Sequence, residues 1–178
     1  MIAKQVMMRP QDVVILLKKV SPAGWSMSGK QLSESLGISQ SEVSDSLERS
    51  RLSGLIDASK SHVNTLALRD FLVYGLRYCF PVIPAGVVRG MPTAMSASPI
   101  KDRIVQGEDS FVWPSVTGNS RGQAIQPLYP SVPSAAGKDA DFYQLMVVAD
   151  TLRFGRVRER EIAMEVLDNY IFEYVKQY

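Results

Sequence analysis

The sequence predicts a mainly α-helical fold, and three observations carry that reading. Apolar residues recur at helical spacing before residue 80 and again after residue 138. Helix-start signals stand at the head of several of these runs, with Ser, Asn or Pro where a first turn needs a cap or a fixed φ. The stretch between them, 81–137, holds most of the chain's ten prolines and keeps no helical stripe. The expected order is therefore a helical segment at 1–80, an irregular Pro-rich wrapping segment at 81–137, and a C-terminal helical pair at 138–178.

In the first segment, Pro10 suits the opening turn of a helix, and Val13, Leu16, Leu17 and Val20 then form one apolar stripe that "SPAG" at 21–24 stops. Ser28 followed by Gln31 is a capping box, and Ser39 followed by Glu42 is a second. Two helix starts eleven residues apart leave room for one short helix, ended by Gly37 in a left-handed conformation. Leu32, Leu36, Ile38, Val43 and Leu47 fall where the two helices must clamp together. That is the mechanical signature of a helix-turn-helix. "RLSGLI" then leads toward a strand, "DASKSHVN" (57–64) has room for only a short hairpin, and Asn64 caps a helix to about Arg77 with Leu68, Phe71, Leu72 and Leu76 inward. The spacing predicts helices near 10–20, 29–36, 40–52 and 65–77.

The Pro-rich segment keeps Met91, Ile104, Phe111, Trp113, Leu128 and Tyr129, more large apolar residues than a linker needs. It reads as ordered and extended, with short strands near Phe111–Trp113. In the last segment Phe142, Leu145, Ala149 and Leu152 make one stripe, Gly155 offers a break, and Ile162, Ala163, Val166, Leu167, Tyr170 and Tyr174 make the next. That last stripe is broad enough to suggest a homodimer formed through the C-terminal helix.

The stretch "QLSESLGISQSEVSDSLERSRLSGLI" resembles the winged helix-turn-helix of MarR-type bacterial regulators, over roughly residues 10–64. There a helix of pattern S-x-x-x-V-S-x-x-L precedes a "GLI" and a wing. "YGLRYCFPVIPAGVVRGMPTA" and "PLYPSVP" are similar to a bacterial family in which such a domain precedes a Pro-rich half, and that likeness carries no chemistry. The winged-helix resemblance implies a DNA-binding transcriptional regulator. By position it puts Ser39, Gln40, Ser41, Ser44 and Asp45 on the turn and outer face of the recognition helix. Gln40 is the best base reader, since its amide can pair with both edge groups of adenine. Lys30 and Lys60 are expected at phosphates.

The charge pattern qualifies this. Net charge is +2, and residues 1–80 carry ten Lys/Arg against seven Asp/Glu, so the basic excess lies with the candidate segment. Yet the recognition helix carries Glu42, Asp45 and Glu48, and the hairpin offers only Lys60 and His62 as basic tips. The alternative is a non-enzymatic adaptor or antitoxin-like protein that uses the winged helix to dock another protein.

Other classes find little support. A single His, a single Cys and no phosphate-binding glycine motif give no basis for an enzyme, a metal site or a cofactor. Cys79, in "LRYCFPV", reads as an inert core thiol. No apolar run suits a membrane span, and the N-terminus lacks the apolar core of a leader, which points to a cytoplasmic protein. Arg77, Arg89, Lys101, Arg103 and Arg121 read as a solvated cover over a core containing Trp113 and Tyr129, the alternative being a basic, aromatic surface for nucleic acid or an acidic partner. "RFGRVRERE" (153–161) reads as a solvated helix face.

Overall fold

A computed structural model describes residues 6–105 and 107–178. The chain is mainly helical, with one small three-stranded sheet. Helices are α1 (Pro10–Val20), α2 (Gly29–Leu36), α3 (Gln40–Leu52), α4 (65–79), α5 (Val132–Ala136), α6 (Ala140–Phe154) and α7 (Val157–Gln177). Strands are β1 (Val87–Pro92), β2 (Phe111–Pro114) and β3 (Ser120–Ala124).

Local signals set the helix ends. Pro10 occupies the first turn of α1, and the Asp12 carboxylate accepts from the Arg9 amide at 2.8 Å. The α1 stripe proves wider than one face: Val14 and Ile15 are as buried as Val13, Leu16 and Leu17. The reason is position, since α1 lies against α2 and α3 on one side and α6 and α7 on the other. Even Lys18 is buried, ion-paired with Asp139, the residue that caps α6.

Asn64 accepts from the Ala67 amide to start α4. A π turn at Phe71–Gly75 widens this helix midway and keeps Leu68, Leu72 and Leu76 on one buried line. Phe71 is only half-buried, edge-on to Phe80. Cys79 overturns expectation. It ends α4 on the exposed side beside Tyr78, because the last turn packs on α6 through Leu76 and turns Tyr78 and Cys79 away from that contact.

The Pro-rich segment is ordered, and its strands close on themselves. β1 pairs antiparallel with both β2 and β3, while β2 and β3 pair parallel through Phe111 with Gln123 and Val112 with Ala124. So small a closed sheet brings backbones into contact where only glycine fits. A Cβ on Gly90 would lie 2.0 Å from the Trp113 carbonyl oxygen, and one on Gly118 would lie 2.3 Å from Gly90 itself.

One turn of α6 ties this segment to the helices. The Asp150 carboxylate, wholly buried, accepts from Thr93 Oγ1 and Trp113 Nε1, both at 2.7 Å, and from Arg153 Nη1 at 2.9 Å. Arg153 also donates to the Phe80 carbonyl at 2.9 Å and the Gln126 carbonyl at 3.1 Å. Burial pushes the Asp150 carboxyl up from its ordinary value, and Arg153, Thr93 and Trp113 oppose that push. Arg153 therefore departs from the solvated reading of its run: it is a buried brace. Tyr143 adds a bond to the Pro92 carbonyl at 2.6 Å.

Gly155 separates α6 from α7. The α7 stripe is taken up inside the chain, where Ile162, Ala163, Val166, Leu167 and Tyr174 are buried and Tyr170 is half-buried. Tyr174 accepts from the Val63 amide at 2.9 Å, Tyr170 donates to Asp141, and Arg69 pairs with Asp168. The stripe that suggested a homodimer is thus covered within the same chain, chiefly by α6, with α4, α1 and the 56–63 hairpin at its margins. One continuous apolar cluster runs through all three compositional segments. No helix among the described residues is long and apolar enough to cross a membrane.

Asp150→Ala removes one partner of a buried pair and strands Arg153, so it is expected to lower stability by about 3–5 kcal/mol in denaturant melts. Asp150→Asn, which still accepts from Trp113, is expected to cost less. Equal, small losses for both would show that the network does not brace the fold.

Candidate nucleic-acid interface

The residues singled out from sequence converge on the start of α3. Ser28 accepts from the Gln31 amide at 3.3 Å and Gln31 returns to the Ser28 amide at 2.8 Å, so the first capping box is complete. Gly37 adopts φ 64° and turns the chain, and Ser39 accepts from the Glu42 amide at 3.3 Å. The second box is only half made. Glu42 turns away from the Ser39 amide toward Arg49, a stronger charged donor. Leu32, Leu36, Ile38, Val43 and Leu47 are buried between the helices, as the spacing requires.

A buried clamp sets the roll of α3. Arg49 grips Asp12 with Nε at 2.9 Å and Nη2 at 2.7 Å, and the same guanidinium reaches Glu42. Gln11 donates to Glu42 at 2.9 Å, and Arg9 lies 3.8 Å from it. Partial burial works against ionisation of Glu42, but the bonds from Arg49 and Gln11 outweigh it and hold the carboxyl below its ordinary value. With Val43, Ser46, Leu47 and Ser50 turned inward, Ser39, Gln40, Ser41, Ser44 and Asp45 remain together on the exposed side.

The remaining predicted contacts divide. Lys60, at the tip of the hairpin closed by the Ile56–Val63 bridge, has φ 61° and pairs with Glu48 at 2.8 Å. Arg51 grips the same carboxylate through Nη2 at 2.6 Å. The Arg51 and Lys60 donors hold the Glu48 carboxyl down at about 2. Lys60 therefore joins the α3 surface, but as a partner of Glu48. Lys30 stands apart, exposed on α2 and 3.9 Å from Glu34 one turn on. His62 faces Asp57 and the Tyr178 ring.

Two of the three acids on α3 are thus paired inside the chain, Glu42 with Arg49 and Glu48 with both Arg51 and Lys60, and the second cluster keeps one positive charge over. Among the described residues Asp45 has no ion pair. It borders a groove shared with Val6, Met7 and Leu52, all exposed. Arg9, Gln11 and Asp12 escaped the sequence reading, because nothing local joins Asp12 to an arginine 37 residues away. No protein-family model, curated protein or solved structure matches this chain.

A depressed carboxyl keeps its pairing above the ordinary carboxylate range and loses it as pH falls through the folded value. The Glu48 side chain is expected to titrate near 2 by carbon NMR. Changing Arg51 and Lys60 to Gln together is expected to return it toward about 4.3. A wild-type midpoint already at the ordinary value would remove the clamp from the solution structure.

Proposed function

We propose that this protein is a DNA-binding regulator of winged helix-turn-helix type, with α3 as the recognition helix and the 56–63 hairpin as a short wing. One observation carries the reading. The start of α3 presents Gln40, Ser41 and Ser44 to solvent beside a helix N-terminus, while Glu42 and Glu48 are neutralised from within. A helix N-terminus offers oriented amides and partial positive charge to a phosphate. Gln40 then supplies adenine pairing, and the serines supply short hydrogen bonds to phosphate or base. Lys60 positions the backbone by exchanging Glu48 for phosphate, and Lys30 does the same from α2. A dimer on a two-fold site would have to use another face than the buried α7 stripe, such as the outer side bearing exposed Phe172 and Val175.

The adaptor reading is favoured by a separate observation, the position of Asp45. Its carboxylate is unpaired among the described residues and borders exposed Val6, Met7 and Leu52, a mixed surface suited to a protein partner.

Asp45 separates the two. On a DNA surface, Asp45→Ala is expected to tighten binding to a random duplex by removing a charge that repels phosphate, and more at low salt than at high. On a protein-docking surface, the weak duplex affinity stays unchanged. Gln40→Ala is expected to cost about 1–3 kcal/mol on a selected site and little on random sequence. No duplex binding by wild type or Asp45→Ala at low salt overturns the DNA reading.

A further inference from the structure

A second polar concavity lies outside the Ser39–Asp45 face of α3, with Lys60 and Leu47 among its lining residues. It has a volume of about 440 Å³ and sits between the end of α1, the start of α2 and the 59–62 turn. Lys19 reaches it from α1 and is only 4% exposed. Lys18, its neighbour, is paired with Asp139, but among the described residues the Lys19 ammonium makes no hydrogen bond. Burial lowers the Lys19 pKa, and the Asp57 charge nearby raises it in part. Asp57 does not serve as a full partner, since its oxygens already accept from Ser59 Oγ at 2.5 Å and from the amides of Ser61 at 2.8 Å and His62 at 3.0 Å. A nearly buried ammonium with open donors is costly unless something accepts from it.

We propose that this cavity binds a phosphate group carried by a small molecule, with Lys19 as its cation and the first amides of α2 as its backbone donors. Ser28 and Gln31 satisfy one another, which leaves the amides of Gly29 and Lys30 at the head of an eight-residue helix. The approach to Gly29 is clear, because a Cβ built there meets no atom within 4 Å. Ser61 and His62 border the opening, and Trp25 and Tyr178 supply an aromatic wall for the body of the ligand. Donors of the lining residues, the Lys19 ammonium, the Gly29 amide and serine hydroxyls, match a phosphate's three terminal oxygens better than the two of a carboxylate. Lys60 also lines the cavity but is paired with Glu48, so Lys19 is the cation that stands here without a carboxylate partner to exchange. The Asp57 charge opposes an anion and sets a limit on affinity. A duplex phosphate is the less suitable source, because a rigid backbone meets surface groups and Lys19 stands on the buried helix α1.

The proposal is independent of the DNA reading. The full chain is titrated with inorganic phosphate and with phenyl phosphate against a chloride control of equal ionic strength, following tryptophan fluorescence and the melting temperature. Saturable binding and a rise in melting temperature are expected for wild type, with phenyl phosphate the tighter of the two. Lys19→Met is expected to weaken both ligands at least tenfold without lowering the ligand-free melting temperature. Gly29→Asp, at an open surface position, is expected to fold normally and also lose phosphate. No saturation by wild type at about 10 mM phosphate, or unchanged affinity in both variants, overturns the proposal. Lys19→Met weakening a random duplex as much as phosphate would assign the site to the DNA backbone and overturn it as well.

Discussion

The Asp150 carboxylate and the Arg153 guanidinium, one turn apart on α6, are the constraint on which the middle of this molecule depends. Together they bind Thr93, Trp113, the Phe80 carbonyl and the Gln126 carbonyl, four points spread along the Pro-rich chain. The short ladders and the Tyr143 bond to Pro92 hold the rest of that segment. Its prolines donate nothing to a ladder, and its strands run four to six residues. Burying Trp113 contributes apolar free energy but no direction. The bond from its indole N–H to Asp150 supplies the direction, and Arg153 makes the arrangement tolerable by satisfying the second oxygen of a carboxylate that burial alone would disfavour.

The helical half has its own version of the device. Asp12 and Arg49 form a bidentate pair between α1 and α3, with Asp12 fully buried. Apolar contacts alone would let α3 roll about its axis, since Val43 and Leu47 are a narrow stripe flanked by small Ser46 and Ser50. The ion pair fixes the roll, and with it which residues stay outside. Both devices work through α1 and α6, which touch one another, so that one apolar cluster serves the whole chain.

The helices were legible from sequence wherever the signal was local. Ser28, Ser39 and Asn64 place the starts of α2, α3 and α4, and Gly37 and Gly155 mark stops, because a cap acts within one turn of its own residue. The candidate face of α3 was legible for the same reason. What spacing alone does not carry is who partners whom across the fold. The Asp12–Arg49 clamp, the capture of Arg153 from an apparently solvated run, and the closure of β1 on both β2 and β3 all join distant residues. The α7 stripe shows the limit from the other side. Periodicity revealed that it must be covered, and α6, with α4 and the hairpin beside it, turned out to be the cover.

Charge accounting follows from the same pairings and alters how the surface of α3 is to be understood. A composition count gives this helix three acids and two bases, which looks hostile to phosphate. Internal pairing removes most of that balance: Glu42 goes to Arg49, and Glu48 to Arg51 and Lys60, leaving Asp45 and a row of neutral amide and hydroxyl groups. Affinity for any polyanion then rests on hydrogen bonds, the helix terminus and the few cations, Lys30 and Lys60, that can turn to phosphate, which keeps its dependence on salt shallow. Lys19 is the exception to this economy of pairs. The buried cations of the helical half beside it have their carboxylates, as Lys18 has Asp139 and Arg49 has Asp12. Lys19, facing a cavity, is a position where an anion from outside would complete a pattern that the chain completes itself at Lys18 and Arg49.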